Sequence, residues 1–162
     1  MNISILGAGN FGTVLAQLLA DHHDVTMIKR GDSLRPITTA NLLLLALPVK
    51  AYDDICHQLR ALAQLPPMII CSKGMNEQGL LPSEIIARHL SEKARTAVLA
   101  GPNFAFELAK QLPTASVLAS HDPALIKQGQ EILAQPFWRI YANHDPVGTE
   151  LCGAMKNILA IA

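Results

Sequence analysis

The stretch that decides the fold is Asn2-Ile3-Ser4-Ile5-Leu6-Gly7-Ala8-Gly9-Asn10-Phe11-Gly12-Thr13-Val14-Leu15-Ala16-Gln17-Leu18-Leu19-Ala20. Asn2 to Leu6 reads as a strand, and Val14, Leu15, Leu18 and Leu19 recur at the spacing of one helix face over Asn10 to Ala20. Between them lies G-x-G-x-x-G. Gly7 permits a tight turn, Gly9 removes the Cβ that would block an approaching pyrophosphate, and Gly12 lets the helix pack closely on the sheet. The N–H groups of the helix start would face a diphosphate, aided by the helix dipole. The same glycines also serve a purely structural strand-to-helix turn. The strand before, the helix after and a second strand ending at Lys29 and Arg30 favour the nucleotide reading.

Outward from this turn the pattern repeats. Strands are predicted at Val25 to Lys29, Leu42 to Leu47, Met68 to Ser72, Thr96 to Ala100, Thr114 to Ala119 and Phe137 to Tyr141. Helices are predicted near Ala51 to Ala63, Ser83 to Ser91 and Phe104 to Lys110, then one capped by Asp122 with Pro123 in its first turn, and a last one after Asp145. Leu42 to Leu47 is apolar without a break, as in a strand buried on both faces of a parallel sheet. This alternation predicts an α/β fold: a Rossmann-type, doubly wound, mostly parallel sheet with helices on both faces.

One connection is short. Only ten residues separate Arg30 from Asn41, too few for a helical crossover. They reach ~36 Å when extended, enough to return along a strand and step across two strand spacings. Leu42 to Leu47 is therefore expected on the far side of the first strand, with at most a stub of extra strand at Pro36 to Thr39.

Composition sets limits. The 162 residues are 50% apolar and 16% charged, with 13 basic against 13 acidic side chains, which argues against a disordered tail and against charge-driven nucleic-acid binding. A chain of this length buries roughly 70% of its extended surface and needs no disulfide or zinc. Cys56, Cys71 and Cys152 lack metal-ligand spacing, which suits free thiols in a reducing cytoplasm. The longest apolar run, Leu42 to Val49, falls far short of the ~20 residues of a membrane helix, and no signal-peptide pattern opens the chain.

Two cationic positions stand out. NAD-selective proteins place an acidic residue after the second strand, but here Lys29 and Arg30 stand there. A cation favours the 2′-phosphate of NADP, with NAD tolerated; the alternative is a solvated Lys-Arg pair. Lys156 lies in an apolar helix whose neighbours at three and four positions carry no anion. Desolvation there would let it exchange a proton near neutral pH, whereas a lysine snorkelling to the surface is the plainer reading.

The strings GAGNFGTVLA at Gly7 to Ala16, SKG at Ser72 to Gly74, GPNFAFELA at Gly101 to Ala109, LPTA at Leu112 to Ala115 and GTELCGAMKNILAIA at Gly148 to Ala162 occur in the order they hold in NAD(P)-dependent glycerol-3-phosphate dehydrogenase. The chain resembles the N-terminal cofactor half of that family over essentially its whole length. The resemblance implies cofactor contacts at Gly7, Gly9, Asn10, Phe11, Gly12, Arg30, Lys73 and Ala105, and substrate contacts at Lys73, Gly101, Asn103, Lys156 and Asn157. It implies Lys156 as the proton acceptor, with Lys73 between cofactor and substrate. The implied reaction is hydride transfer between NADP or NAD and C2 of glycerol 3-phosphate, giving dihydroxyacetone phosphate, in the supply of glycerophospholipid precursors. A related hydroxyacid dehydrogenase, or a nucleotide-binding module without a complete substrate site, are the alternatives.

The chain departs from that family in three places. Asn103 stands where Ser or Thr is usual. The Arg30 to Asn41 connection omits helices and a tyrosine-proline loop. The chain stops within its last helix, so residues 1–144 are expected to form the dinucleotide-binding domain and 145–162 the start of a helix leading to a helical substrate domain outside this sequence. Apolar surface on that helix would favour self-association.

Other residues are discounted. His22 and His23 fall in a turn; His57 and His89 lie on predicted helices and are not read as metal ligands; His121 and His144 precede the capping residues Asp122 and Asp145. No nucleophile-elbow signature occurs. Cys71 is expected to be an inert buried thiol, and Phe137 and Trp138 to be core.

Overall fold

The computed structural model describes residues 1–90 and 94–159, with side chains described as far as Lys156. The side chains of Asn157, a predicted substrate contact, and of the apolar residues 158–162 therefore lie outside the described residues. Seven strands form one sheet in the order β2-β1-β3-β4-β5-β6-β7: β1 (Asn2–Leu6), β2 (Asp24–Ile28), β3 (Leu42–Leu45), β4 (Met68–Ile70), β5 (Thr96–Ala100), β6 (Thr114–Ala119) and β7 (Trp138–Asn143). The first five run parallel; β6 is antiparallel to β5, and β7 runs parallel to β6. The helices are α1 (Asn10–Ala20), α2 (Tyr52–Leu59), α3 (Pro82–Leu90), α4 (Ala105–Ala109), α5 (Pro123–Leu133) and α6 (Pro146–Leu159).

The four leucines of β3 explain why the sheet is covered twice. Leu42 and Leu44 pack with α1, α4 and α5 residues such as Leu15, Leu108 and Leu133, whereas Leu43 and Leu45 pack with α2 and α3 residues such as Ile55 and Ile85. All four are fully buried, because successive side chains of a strand point to opposite faces and both faces are roofed. Each contributes roughly 1.5–3 kcal/mol through burial. Gly153 of α6 lies against Ala100 of β5, so α6 sits on the face that carries α2 and α3.

β3 does return to the far side of β1, pairing Ile3 with Leu42 through Leu6 with Leu45. The expected stub of strand at Pro36 to Thr39 is not there. Arg35–Thr39 forms a 3₁₀ helix with Pro36 in its first turn, and Ile37 is fully buried. Proline lacks the N–H an added strand would donate, and its fixed φ suits a helical first turn. Predicted and observed boundaries otherwise differ mainly at strand ends. β3 and β4 stop at Leu45 and Ile70, and the residues that follow, Ala46, Leu47, Cys71 and Ser72, line the cleft described next. α2 is also shorter than predicted, and a 3₁₀ turn at Val49–Ala51 precedes it.

Candidate active site

The site follows from the parallel sheet. The carboxyl ends of β2, β1, β3, β4 and β5 emerge along one edge, and the chain leaves β1 for β2 on one side and returns to β3 on the other. Such a switch point leaves a crevice. A cleft of ≈ 960 Å³ runs along that edge. Arg30 lies at its β2 end, Gly7, Gly9, Asn10 and Phe11 at its centre, and Lys73, Asn103 and Ala105 at its β4–β5 end.

The three glycines play different parts. Gly7 has φ of 113°, and a Cβ there would strike the Ala46 carbonyl. A Cβ on Gly12 would sit on the Gly7 carbonyl oxygen, so Gly12 is buried beneath the turn and does not line the cleft. A Cβ on Gly9 would meet nothing within 4 Å; the space above it is open. No side chain caps α1, and its first turn holds no acidic residue. Free N–H groups at a helix start beside open space fit a diphosphate.

At the β2 end, Asp32 accepts the Lys29 backbone N–H at 2.8 Å and returns its own N–H to the Lys29 carbonyl at 3.1 Å. This turn presents Arg30, which has no ion-pair partner among the described residues. The nearby acid is occupied by the backbone, which leaves the Arg30 guanidinium, with the Lys29 ammonium next to it in the chain, available to a ligand there.

At the other end, Lys73 Nζ donates to Asn103 Oδ1 at 2.7 Å and to the Gly101 carbonyl at 3.2 Å. Burial, with the neighbouring Lys156 charge adding to it, lowers the Lys73 pKa from 10.5 to about 8. Lys73, expected from the resemblance as a catalytic residue between cofactor and substrate, is thus held well below the ordinary lysine range. Asn103 is buried and passes its amide N–H to Ser116 Oγ at 2.9 Å; Trp138 Nε1 donates to the same oxygen at 2.9 Å. Ser72 Oγ donates to the Leu47 carbonyl at 2.5 Å and meets the buried Tyr52 hydroxyl at 2.7 Å, which ties the loop after β4 to the loop after β3.

Lys156 and Gly101 line a second, smaller cleft of ≈ 380 Å³ between α6 and the end of β5. Phe104 marks the boundary. Its ring lines the larger cleft, and Lys156 Nζ stands 3.7 Å from the ring centroid, within cation–π range. The predicted residues therefore fall into two adjoining groups, joined through Lys73, Gly101 and Phe104. Phe104 and Tyr52 were missed, since an aromatic side chain in a loop or on an amphipathic helix reads as core from sequence.

Among the discounted residues, His89 Nε2 pairs with Asp53 Oδ1 of α2 at 3.0 Å, so it does meet a carboxylate, one that its own helix could not reveal. Cys71 is buried and its thiol is pushed up to about 12 by burial, which makes it inert as expected. Trp138 is 1% exposed and belongs to the core. No helix among the described residues is long and apolar enough to cross a membrane.

The chain is similar to known proteins. A glycerol-3-phosphate dehydrogenase [NAD(P)+] of Aromatoleum aromaticum is 36% identical and aligns with all of this chain but 59% of its own length. That of Dechloromonas aromatica is 34% identical with the same coverage. The chain thus spans about three fifths of the curated relatives it matches. Both alignments extend over 193 positions against 162 residues here, so these relatives hold segments that this chain lacks. A crystal structure of glycerol-3-phosphate dehydrogenase from Coxiella burnetii superposes with a TM-score of 0.88 at 29% identity, over 99% of this chain and 59% of that one. A pyrroline-5-carboxylate reductase from the same organism, TM-score 0.73 and 14% identical, shares the fold alone. Residues 26–126 match the family profile described as the NAD-dependent glycerol-3-phosphate dehydrogenase N-terminus, and the chain belongs to that family.

Proposed function

We propose that this chain is the coenzyme-binding part of an oxidoreductase that interconverts sn-glycerol 3-phosphate and dihydroxyacetone phosphate, with NADP or NAD as hydride carrier. The observation that carries the reading is the shared edge: an open glycine turn at one point of the cleft, and a lysine of lowered pKa with a neighbouring lysine at its end. Gly7, Gly9, Asn10 and Phe11 would hold the diphosphate, Arg30 the adenosine end with any 2′-phosphate, and Ala105 the nicotinamide end. The coenzyme, when bound, supplies or accepts the hydride at C2. Lys156 takes the hydroxyl proton as the alcohol is oxidised and returns it in the reverse direction. Lys73, held beside it by Asn103 and Gly101, donates hydrogen bonds to the developing alkoxide or to the phosphate. Gly101, Asn103 and Asn157 complete this chain's share of the substrate contacts.

Residues 1–144 make up the coenzyme domain in this reading, and α6 leads toward a second, helical part that supplies further substrate ligands. Val147, Leu151 and Met155 support it: they recur every four residues and are exposed along α6, a surface suited to a covering domain or to a second copy of the chain. The unpaired cysteines fit a reducing, cytoplasmic setting. Because the chain spans 59% of its relatives, binding without turnover is the second reading.

The test is titration of the purified chain with NADPH and NADH, followed by dihydroxyacetone phosphate-dependent oxidation of the preferred coenzyme. Saturable binding is expected, with Lys156→Ala retaining it and losing whatever turnover the parent shows. Absence of a binding signal at millimolar coenzyme overturns the reading; binding with no turnover in any context favours the module.

A further inference from the structure

Among the acidic and basic side chains of the described residues Glu150 alone is buried, at 2% exposed, and the chemistry above makes no use of it. It lies in the second turn of α6 and reaches across to the start of α3, where its carboxylate accepts the Ser83 backbone N–H at 3.1 Å and the Ser83 hydroxyl. The two partners are 67 residues apart in sequence. Burial raises the carboxyl pKa while the Ser83 bonds oppose that rise. The carboxylate meets the unshared N–H groups and positive dipole end of α3.

An apolar side chain could bury this face of α6 with less desolvation, and a buried charge is weak evidence of stabilisation. A carboxylate differs in being directional. A helix advances 1.5 Å and turns ~100° per residue, so a slip of one residue would carry Glu150 away from Ser83. The same slip would carry Lys156, six residues farther along, away from the Phe104 ring. Gly153, midway between them, lies close against Ala100, so α6 is held against the end of β5 over that interval. We propose that Glu150 is a positioning residue, clamping α6 to Ser83 and so fixing the rotation and height at which Lys156 stands over Phe104 beside the Lys73 site. The geometric part stands by itself; the consequence for turnover rests on the proton-acceptor role of Lys156 proposed above.

The test uses the full chain with its lysines ¹³C-methylated reductively, the Lys156 signal being identified by its loss in Lys156→Arg. That signal is expected to carry a ring-current shift, which Phe104→Leu removes. Glu150→Gln and Ser83→Ala should both move it toward the Phe104→Leu position, and Ser83→Thr, which keeps the hydroxyl, should restore it. NADPH affinity at the glycine turn, a distant and independent site, should stay within about twofold. Turnover, where measurable, should lose about tenfold to a hundredfold in kcat with little change in KM for coenzyme. An unmoved Lys156 signal in Ser83→Ala and Glu150→Gln overturns the clamp, and Ser83→Ala alone decides if Glu150→Gln does not fold. Should Lys156→Ala keep full activity, the proton-acceptor role fails while the signal still judges the clamp.

Discussion

Lys73 Nζ and Asn103 Oδ1 are 2.7 Å apart, and Asn103 is locked from behind by its bond to Ser116. The ammonium is therefore aimed by a buried amide whose own orientation is set in β6, which runs antiparallel to β5. Lys73 follows β4, Asn103 follows β5 and Ser116 belongs to β6, so one chain of hydrogen bonds links three neighbouring strands.

Ser116→Ala should leave both Asn103 Nδ2 and Trp138 Nε1 without an acceptor. Unsatisfied buried donors cost about 1–3 kcal/mol each, so equilibrium denaturation should show a loss of about 2–6 kcal/mol for the pair. Asn103→Ser, which keeps a short hydrogen-bonding side chain near Lys73, should retain a larger share of coenzyme affinity than Asn103→Leu.

Lys73 makes stability depend on pH. Its pKa is about 8 in the folded chain against 10.5 ordinarily, so between these values the unfolded chain binds more protons than the folded one. Stability attributable to this group should then rise with pH across the window; it is fully present above 10.5 and lost as pH falls through about 8. Denaturation of Lys73→Met at several pH values should show a flatter dependence than the parent. An identical slope would remove the burial argument.

Gly9 and Gly12 should separate binding from folding. Gly9→Ala adds a methyl into open space at φ −74°, so stability should change by less than about 1 kcal/mol, while NADPH binding falls because the diphosphate can no longer approach. Gly12→Ala forces a Cβ against the Gly7 carbonyl and should cost about 1–3 kcal/mol by overpacking. Thermal melting with and without coenzyme distinguishes the two.

Arg30→Asp should weaken NADPH by about tenfold or more, the worth of one charge-assisted contact, and NADH much less. Equal losses for both coenzymes would mean that Arg30 does not read a 2′-phosphate.

The sequence alone determined the strand–turn–helix opening, the alternation of strands and helices, the far-side placement of β3 and the glycine turn, because these rest on local periodicity and on residues next to one another in the chain. It could not show that residues 35–39 coil into a 3₁₀ helix, since a proline-containing stretch of that length is compatible with either form. Nor could it show that burial lowers the Lys73 pKa to about 8, that Phe104 lies under Lys156, or that Glu150 reaches Ser83. Those facts depend on side chains brought together from distant strands and helices. The charge state of a group is set by what surrounds it in space, and only the packed sheet with its helices supplies that environment.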